Sequence, residues 1–402
     1  MNRFIYLTKA VIRAIKTGTF FAKIRNKLVI FNRKNYIKGI ETNPKKIVFY
    51  TFQGRYECNA KYIVEYVLRE KIDLELVWIA KEKAYKDMSQ FPKELKVVRG
   101  ASKECYKELA SAKVIIVNGI DLMNLKYIPK KDQYIIQTWH GSMGFKRIDT
   151  YTQPDWTKKA INLGKMTDYI VTNSKFEEDV FKNTFWKDTK MLKIGHPRND
   201  IVMRKNNTEL NKKIREKYKI NKEDKILLYA PTFRDSLSVN VYNIDYIRLK
   251  ETIEKKFGGK WTILVRLHFK LMTEVNKIDK IKEVVNVTEY PDMQELLAIA
   301  DIGITDYSSW MCDFVLSRKP GFLYAPDFEE YRGGRGFYYP LETTPFRISK
   351  NNDELVKSIE NFNEKEYQKG VDKFLKDRGC YEKGTASKQL IDKINELIKE
   401  EK

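Results

Sequence analysis

The sequence predicts an α/β protein made of two doubly wound, Rossmann-like domains facing each other across a cleft, and three observations carry that expectation. From about residue 45, short apolar runs alternate with amphipathic helical stretches. A polar Lys/Asn/Glu-rich stretch at 204–225 breaks the rhythm, and the alternation restarts at 226. Strands that are apolar throughout, with helices between them, belong to parallel sheets covered on both faces.

In the first half, residues 47–52, 74–80, 114–118, 134–138 and 169–173 read as strands, with helices near 58–70 and 103–112. In the second half, 226–230, 262–267, 284–287, 302–305 and 321–325 read as strands, and a charged helix at 387–399 ends the chain. The expected organisation is a segment 1–42, a domain 43–203, a linker 204–225, a domain 226–380 and a terminal helix within 381–402. A chain of 402 residues is long enough for two such cores.

Cys58, Cys105, Cys312 and Cys380 lie far apart, which argues against a disulfide framework or a zinc site and for a reducing compartment. No run of roughly 18 apolar residues suggests a membrane span, and no secretory signal is read at the N-terminus. The net charge of +22 calls for an anionic partner: nucleic acid, membrane lipid or substrate phosphate. No acidic residue precedes Glu41, while Lys9, Arg13 and Lys16 share one helical face and Phe4, Leu7, Val11, Ala14 and Ile15 lie roughly opposite. That pattern suits a helix lying in an anionic membrane surface. A helix docked on its own domain is the alternative, and a nucleic-acid arm is the weaker one.

Ligands of doubly wound sheets bind beyond the carboxyl ends of the strands, and the chemistry-bearing motifs fall there. Thr305-Asp306-Tyr307-Ser308-Ser309 follows a strand and opens a helix, whose first N–H groups suit a phosphate. Asp306 or Ser308 could equally be a plain N-cap. His140, followed by Gly141 at another strand end, is a candidate general base, because an imidazole titrates near neutrality. Arg266 and His268 are delivered together by the 262–267 strand. Each of these histidines could instead be structural. His196 lies in Gly195-His196-Pro197-Arg198-Asn199-Asp200, read as a turn that leaves Arg198 to face an anionic substrate. Arg234 is expected to point into the cleft from the first strand of the second domain.

Together these segments resemble the CDP-glycerol glycerophosphotransferases of teichoic acid synthesis, over about residues 47–346. The resemblance rests on Gln137 to Gly141, Gly195 to Asp200, Leu228 to Asp235, Arg266 to His268, Ala300 to Ser309, Asp313-Phe314, Lys319-Pro320 and the stretch containing Arg335-Gly336-Phe337. It implies a GT-B-type fold, with CDP held mainly by the second domain and direct displacement at the donor's β-phosphorus, releasing CMP. Carried over, His140 would take the acceptor proton, and His268 with Arg266 would stabilise or protonate the departing phosphate. Ser308, Ser309 and neighbouring N–H groups would hold the pyrophosphate, with Arg234 and Arg335 as further phosphate contacts. The implied partners are CDP-glycerol or CDP-ribitol, an undecaprenyl-diphosphate-linked glycan acceptor and the inner face of a bacterial membrane, with no nucleic acid. No metal site is read from the residues; Mg²⁺ could travel with the nucleotide, beside Asp306 and Asp313.

Some positions depart from the family pattern. After Gly141 the chain reads Ser142-Met143-Gly144-Phe145-Lys146-Arg147, one residue longer than a common Thr-Pro-Leu-Lys-Lys segment; Phe233 and Phe269 replace a frequent Trp and Pro. The first change bears on acceptor identity, and the chain length favours a primase-like enzyme. A GT-B glycosyltransferase using a nucleotide sugar is the competing reading. A non-catalytic basic binder gives no reason for histidines, arginines and paired serines at strand ends.

Overall fold

The computed structural model describes residues 36–149, 154–232, 234, 243–268, 278–332 and 336–400. Nearly all of the basic segment 1–42, and Arg335, lie outside the described residues.

Seven strands form the first sheet: β1 (Asn43–Tyr50), β2 (Glu75–Ala80), β3 (Lys96–Arg99), β4 (Ala112–Val117), β5 (Tyr134–Gln137), β6 (Tyr169–Thr172) and β7 (Lys190–Lys193). All pair in parallel, in the order β3-β2-β1-β4-β5-β6-β7. Six strands form the second: β8 (Lys225–Tyr229), β9 (Trp261–Val265), β10 (Val284–Asn286), β11 (Ile302–Thr305), β12 (Gly321–Tyr324) and β13 (Arg347–Ser349). They too are parallel, in the order β10-β9-β8-β11-β12-β13. The fold is the expected pair of doubly wound α/β layers. In each sheet the order reverses next to its first strand, between β1 and β4 and between β8 and β11, where such folds open a ligand crevice.

The central strands follow from their composition. Every residue of β4, Ala-Lys-Val-Ile-Ile-Val, is buried, as a strand covered on both faces must be. The strands β3, β7 and β13 had no counterpart among the expected elements. All three lie at sheet edges, and each exposes part of its short length, so the sequence carries no apolar run there.

Seven helices matter for the site: α1 (Cys58–Arg69), α2 (Lys103–Ser111), α3 (Lys175–Lys182), α4 (Thr208–Tyr218), α5 (Met293–Ile299), α6 (Trp310–Phe314) and α7 (Ala386–Lys399). Ser102, Ser174 and Asp292 cap α2, α3 and α5, each side-chain oxygen accepting a first-turn N–H. The polar stretch 204–225 is structured, for it carries α4, whose Ile214 is buried with Leu228 and Trp310 of the second domain. The terminal helix α7 crosses back to the first domain. Its Leu390, Ile391, Ile394 and Leu397 recur at helical spacing and pack with Ile47, Ile63 and Trp78. Each buried side chain of that size contributes about 1.5–3 kcal/mol.

Specific contacts join the domains. Buried Lys61 of α1 pairs with Asp292 (2.5 Å) and with Glu295, and the Tyr62 hydroxyl donates to Asp292 at 2.9 Å. Phe145 stacks on Phe337 with centroids 4.6 Å apart. Beneath the Ser308-Ser309 turn, a Cβ on Gly303 would stand 2.8 Å from the Phe314 ring. Only glycine lets α6 settle so closely onto β11.

Candidate active site

The loop after β5 carries His140, and four groups hold it. Asn118, one residue past β4, accepts the His140 Nδ1–H on its carbonyl at 2.6 Å and the Phe52 N–H on its side chain at 2.6 Å. Asn173, one residue past β6, accepts the Met143 N–H at 3.1 Å and donates to Ser142 Oγ at 2.9 Å. From behind, Asn59 of α1 donates to the carbonyls of Thr138 (2.9 Å) and Trp139 (3.1 Å). Finally, Arg198 Nη2 donates to the Gly141 carbonyl at 2.6 Å.

The loop pays a conformational cost, since Trp139 (φ 53°) and Met143 (φ 47°) both sit in the left-handed region. Non-glycine residues held there cost on the order of 1–3 kcal/mol each and cluster at functional sites. A backbone carbonyl can only accept, so His140 Nδ1 carries the proton and the neutral ring keeps its lone pair on Nε2. The imidazole is exposed, flanked by Trp139 (4.6 Å) and Phe52 (6.0 Å).

Ser309 lines the same cavity as His140 and Gly141, a space of about 110 Å³. The first domain's histidine loop and the second domain's serine turn therefore meet. Ser308 and Ser309 are half-buried at the entry to α6, and their hydroxyls have no hydrogen-bond partner among the described residues. The helix starts at Trp310 with Ser309 as its cap position, and no side chain makes a capping bond. Asp306 is therefore not the N-cap. Its Oδ1 accepts the N–H groups of Thr232 (2.8 Å) and Tyr307 (2.5 Å), tying the loop after β8 to the turn after β11.

Several expected cleft residues are placed otherwise. His196 is fully buried and donates from Nε2 to Glu177 at 3.0 Å, so it does not face the cleft. Arg198 is not free for an anionic substrate: it is buried and paired with Asp313, Nε at 3.1 Å and Nη2 at 3.3 Å. The turn expected there is real, a short 3-10 segment at Pro197–Asn199, but it aims the guanidinium inward. Arg234 is also occupied, by Asp306 (2.8 Å) and by Asp327 (2.6 and 3.0 Å), with its guanidinium over the rings of Tyr307 and Tyr331. Asp306 and Asp313 are thus both neutralised by arginine, and this donor set does not fit Mg²⁺. Among the described residues no group of three or more His, Cys, Asp or Glu could hold a metal.

Arg266 and His268 stand beyond the end of β9, half-buried. Arg266 Nη2 donates to the carbonyls of Tyr290 (3.0 Å) and Pro291 (3.2 Å). Nearby Glu57, from the first domain, is pushed up to about 7 by burial, with Arg55 and Arg266 pulling the other way. Neither Arg266 nor His268 lines the His140 cavity.

Sequence reasoning missed Asn59, Asn118, Asn173, Glu177 and Gln294. Asn118 and Asn173 did leave a signal, since each directly follows an apolar strand run. The others lie inside helices, where only the tertiary structure gives them a partner.

A sequence model of the CDP-glycerol:poly(glycerophosphate) glycerophosphotransferases matches residues 30–396. The chain belongs to this family. It is 30% identical to a teichoic acid poly(glycerol phosphate) polymerase of Staphylococcus epidermidis, over 97% of this chain and 57% of that protein. It is 28% identical to the Bacillus spizizenii protein of the same name, over 88% of this chain and 92% of that one. The chain thus spans little more than half of the first polymerase and nearly all of the second. A solved structure of the wall teichoic acid polymerase TagF, a variant soaked with CDPG, superposes with a TM-score of 0.78 at 28% identity, covering 95% of this chain and 98% of that one. The fold is accordingly GT-B-like. The family the motifs resembled is the family to which the chain belongs.

Proposed function

We propose that this glycerophosphotransferase family member transfers glycerol phosphate from CDP-glycerol to a hydroxyl of a lipid-linked teichoic acid acceptor, releasing CMP. The observation that carries the reading is the meeting of His140 and Ser309 on one cavity. A base and a phosphate-binding turn from opposite domains are what an inter-domain phosphoryl transfer needs.

In this mechanism Nε2 of His140 takes the proton of the acceptor hydroxyl, while Asn118 fixes the tautomer through Nδ1. The acceptor oxygen bonds to the donor's β-phosphorus, and the bond from that phosphorus to the bridging oxygen breaks. Ser308 and Ser309 hold the pyrophosphate by hydroxyl hydrogen bonds. Arg266 and His268 neutralise or protonate the departing CMP phosphate. Arg234 and Arg198 act through others: Arg234 braces the Asp306 turn, and Arg198 holds Gly141. His140 then releases the proton to solvent, so the products are the extended acceptor, CMP and H⁺.

The similarity to polymerases over nearly the whole chain supports glycerol over ribitol as the alditol. We place the enzyme at the cytoplasmic face of the membrane, bound peripherally through its basic N-terminal segment; among the described residues no helix is long and apolar enough to cross a bilayer. Incubating the chain with CDP-glycerol, CDP-ribitol and UDP- or GDP-sugars, with a lipid-linked acceptor, tests the proposal. Acceptor-dependent CMP release from CDP-glycerol is expected. Turnover of a UDP- or GDP-sugar in its place would establish the glycosyltransferase reading instead.

A further inference from the structure

The loop after β1 places an exposed aromatic ring beside the candidate base. Phe52 opens a 3-10 turn at Phe52–Gly54, and 43% of the residue stays exposed. Its ring lies nearly parallel to the His140 imidazole, at 15°, with centroids 6.0 Å apart. A single exposed phenyl is ordinary on a protein surface and by itself asks for no explanation. This one is set apart by how it is held. The Asn118 side chain accepts the Phe52 N–H at 2.6 Å, and the Asn118 carbonyl accepts the His140 Nδ1–H at 2.6 Å. One asparagine therefore fixes the base and the ring in register with each other.

The rest of the turn is pinned to the end of β2. Gly54 donates its N–H to the Thr51 carbonyl (3.0 Å), and its own carbonyl accepts the buried Trp78 Nε1–H (3.1 Å). At φ 66°, a Cβ on Gly54 would stand 2.3 Å from the Lys81 backbone nitrogen, so only glycine lets the turn seat there. Beside the ring, Lys81 Nζ lies 5.9 Å from its centroid and is paired with Asp121 at 2.5 Å. This edge of the site therefore offers a fixed apolar face next to a charge that is already balanced.

A hydroxyl bonded to Nε2 of His140 stands about 3 Å from it, which brings the carbons next to that hydroxyl within contact of a ring 6.0 Å away. The Ser309 turn comes from the second domain, whereas Phe52, Asn118 and His140 all belong to the first. The group that meets Phe52 is thus the one that brings the hydroxyl, not the nucleotide. Carbon-bound hydrogens of a polyhydroxylated unit carry partial positive charge and pack against the negative face of an aromatic ring. We propose that Phe52 is an acceptor-binding residue, a platform for the carbon skeleton of the acceptor's terminal polyol or sugar unit while its hydroxyl meets His140. The inference rests on the transferase reading above.

The test is initial-rate CMP release by the full chain, varying CDP-glycerol and acceptor separately, with lipid-linked acceptors that end in a sugar or in glycerol phosphate. The acceptor that is turned over identifies the unit on the ring. Phe52→Ala should raise the acceptor KM by about 3- to 10-fold, the usual contribution of an aromatic contact, and leave the KM for CDP-glycerol unchanged. Phe52→Tyr keeps the ring and should restore the wild-type value. Phe52→Leu, apolar but without a π face, should stay impaired. Thermal unfolding at the wild-type temperature shows that each variant is folded, as expected for an exposed side chain. If Phe52→Ala does not fold, Phe52→Leu against Phe52→Tyr decides. An acceptor KM that is unchanged in folded Phe52→Ala, or raised no more than that of the donor, overturns the platform. Full recovery by Phe52→Leu overturns it too, since bulk alone then suffices. Absence of acceptor-dependent CMP release by the wild-type chain overturns the transferase reading, and the platform with it.

Discussion

Arg198 and Asp313 form a buried ion pair across the domain boundary, with Nε 3.1 Å from Oδ2 and Nη2 3.3 Å from Oδ1. The same Nη2 holds the Gly141 carbonyl at 2.6 Å, and Gln294 donates to Asp313 at 2.9 Å. One guanidinium thus ties the His140 loop to the helix that follows Ser309.

Removing one partner of such a pair leaves an uncompensated buried charge. Asp313→Ala should destabilise the chain by about 3–5 kcal/mol in urea unfolding. Replacing both partners, Arg198→Met with Asp313→Leu, should recover most of that loss. It should still lower kcat about tenfold or more, because Gly141 loses its tether. A double variant with wild-type turnover would refute the positioning role.

His140 is exposed, so its loss should spare stability. His140→Ala should leave the unfolding temperature within about 2 °C, as surface changes usually cost under 0.5 kcal/mol. Acceptor-dependent CMP release should fall about 10²- to 10⁴-fold, the usual contribution of a general base.

The fold was legible because the central strands are apolar on both faces; β4 illustrates this with six consecutive buried residues. The edges β3, β7 and β13 were not, since half-exposed short strands look like loop. Within the candidate site, the strand-end positions of His140 and Ser309, which line one cavity, were legible because glycine and serine mark turns there. Arg198 was read as facing an anionic substrate, whereas the fold turns it inward onto Asp313. A sequence gives its charge, whereas its partner Asp313 lies 115 residues further on and meets it only in the folded chain. His196 was misread for the same reason, its Glu177 partner being on another element.

Glu382 gives a pH-dependent stability. Burial pushes its carboxyl up to about 8, although Asn199 and the His196 N–H, both donating to Oε1, pull downward. Between its ordinary value of 4.5 and about 8, the unfolded chain has lost this proton and the folded chain keeps it. Stability should therefore be greatest below that window and fall as pH rises through it, by at most about 1.4 kcal/mol per pH unit. Glu382→Gln keeps the Oε1 acceptor and removes the titration. Its unfolding free energy relative to wild type should improve from pH 5 to pH 8, and a constant difference would contradict this account.

The basic N-terminal segment gives the last prediction, about where the enzyme works. Lys9, Arg13 and Lys16 share one face of the proposed helix, and each cation near an anionic leaflet contributes about 1 kcal/mol. Converting all three to Gln should weaken sedimentation with phosphatidylserine vesicles by about 3 kcal/mol, on the order of 100-fold, with little change on neutral vesicles. Turnover of a soluble acceptor analogue should be unaffected, because the site lies in the cleft. Duplex DNA at matched salt provides the contrast. If the triple variant loses DNA binding but keeps vesicle binding, the segment is a nucleic-acid arm. Loss on vesicles alone identifies the segment as a membrane-surface element.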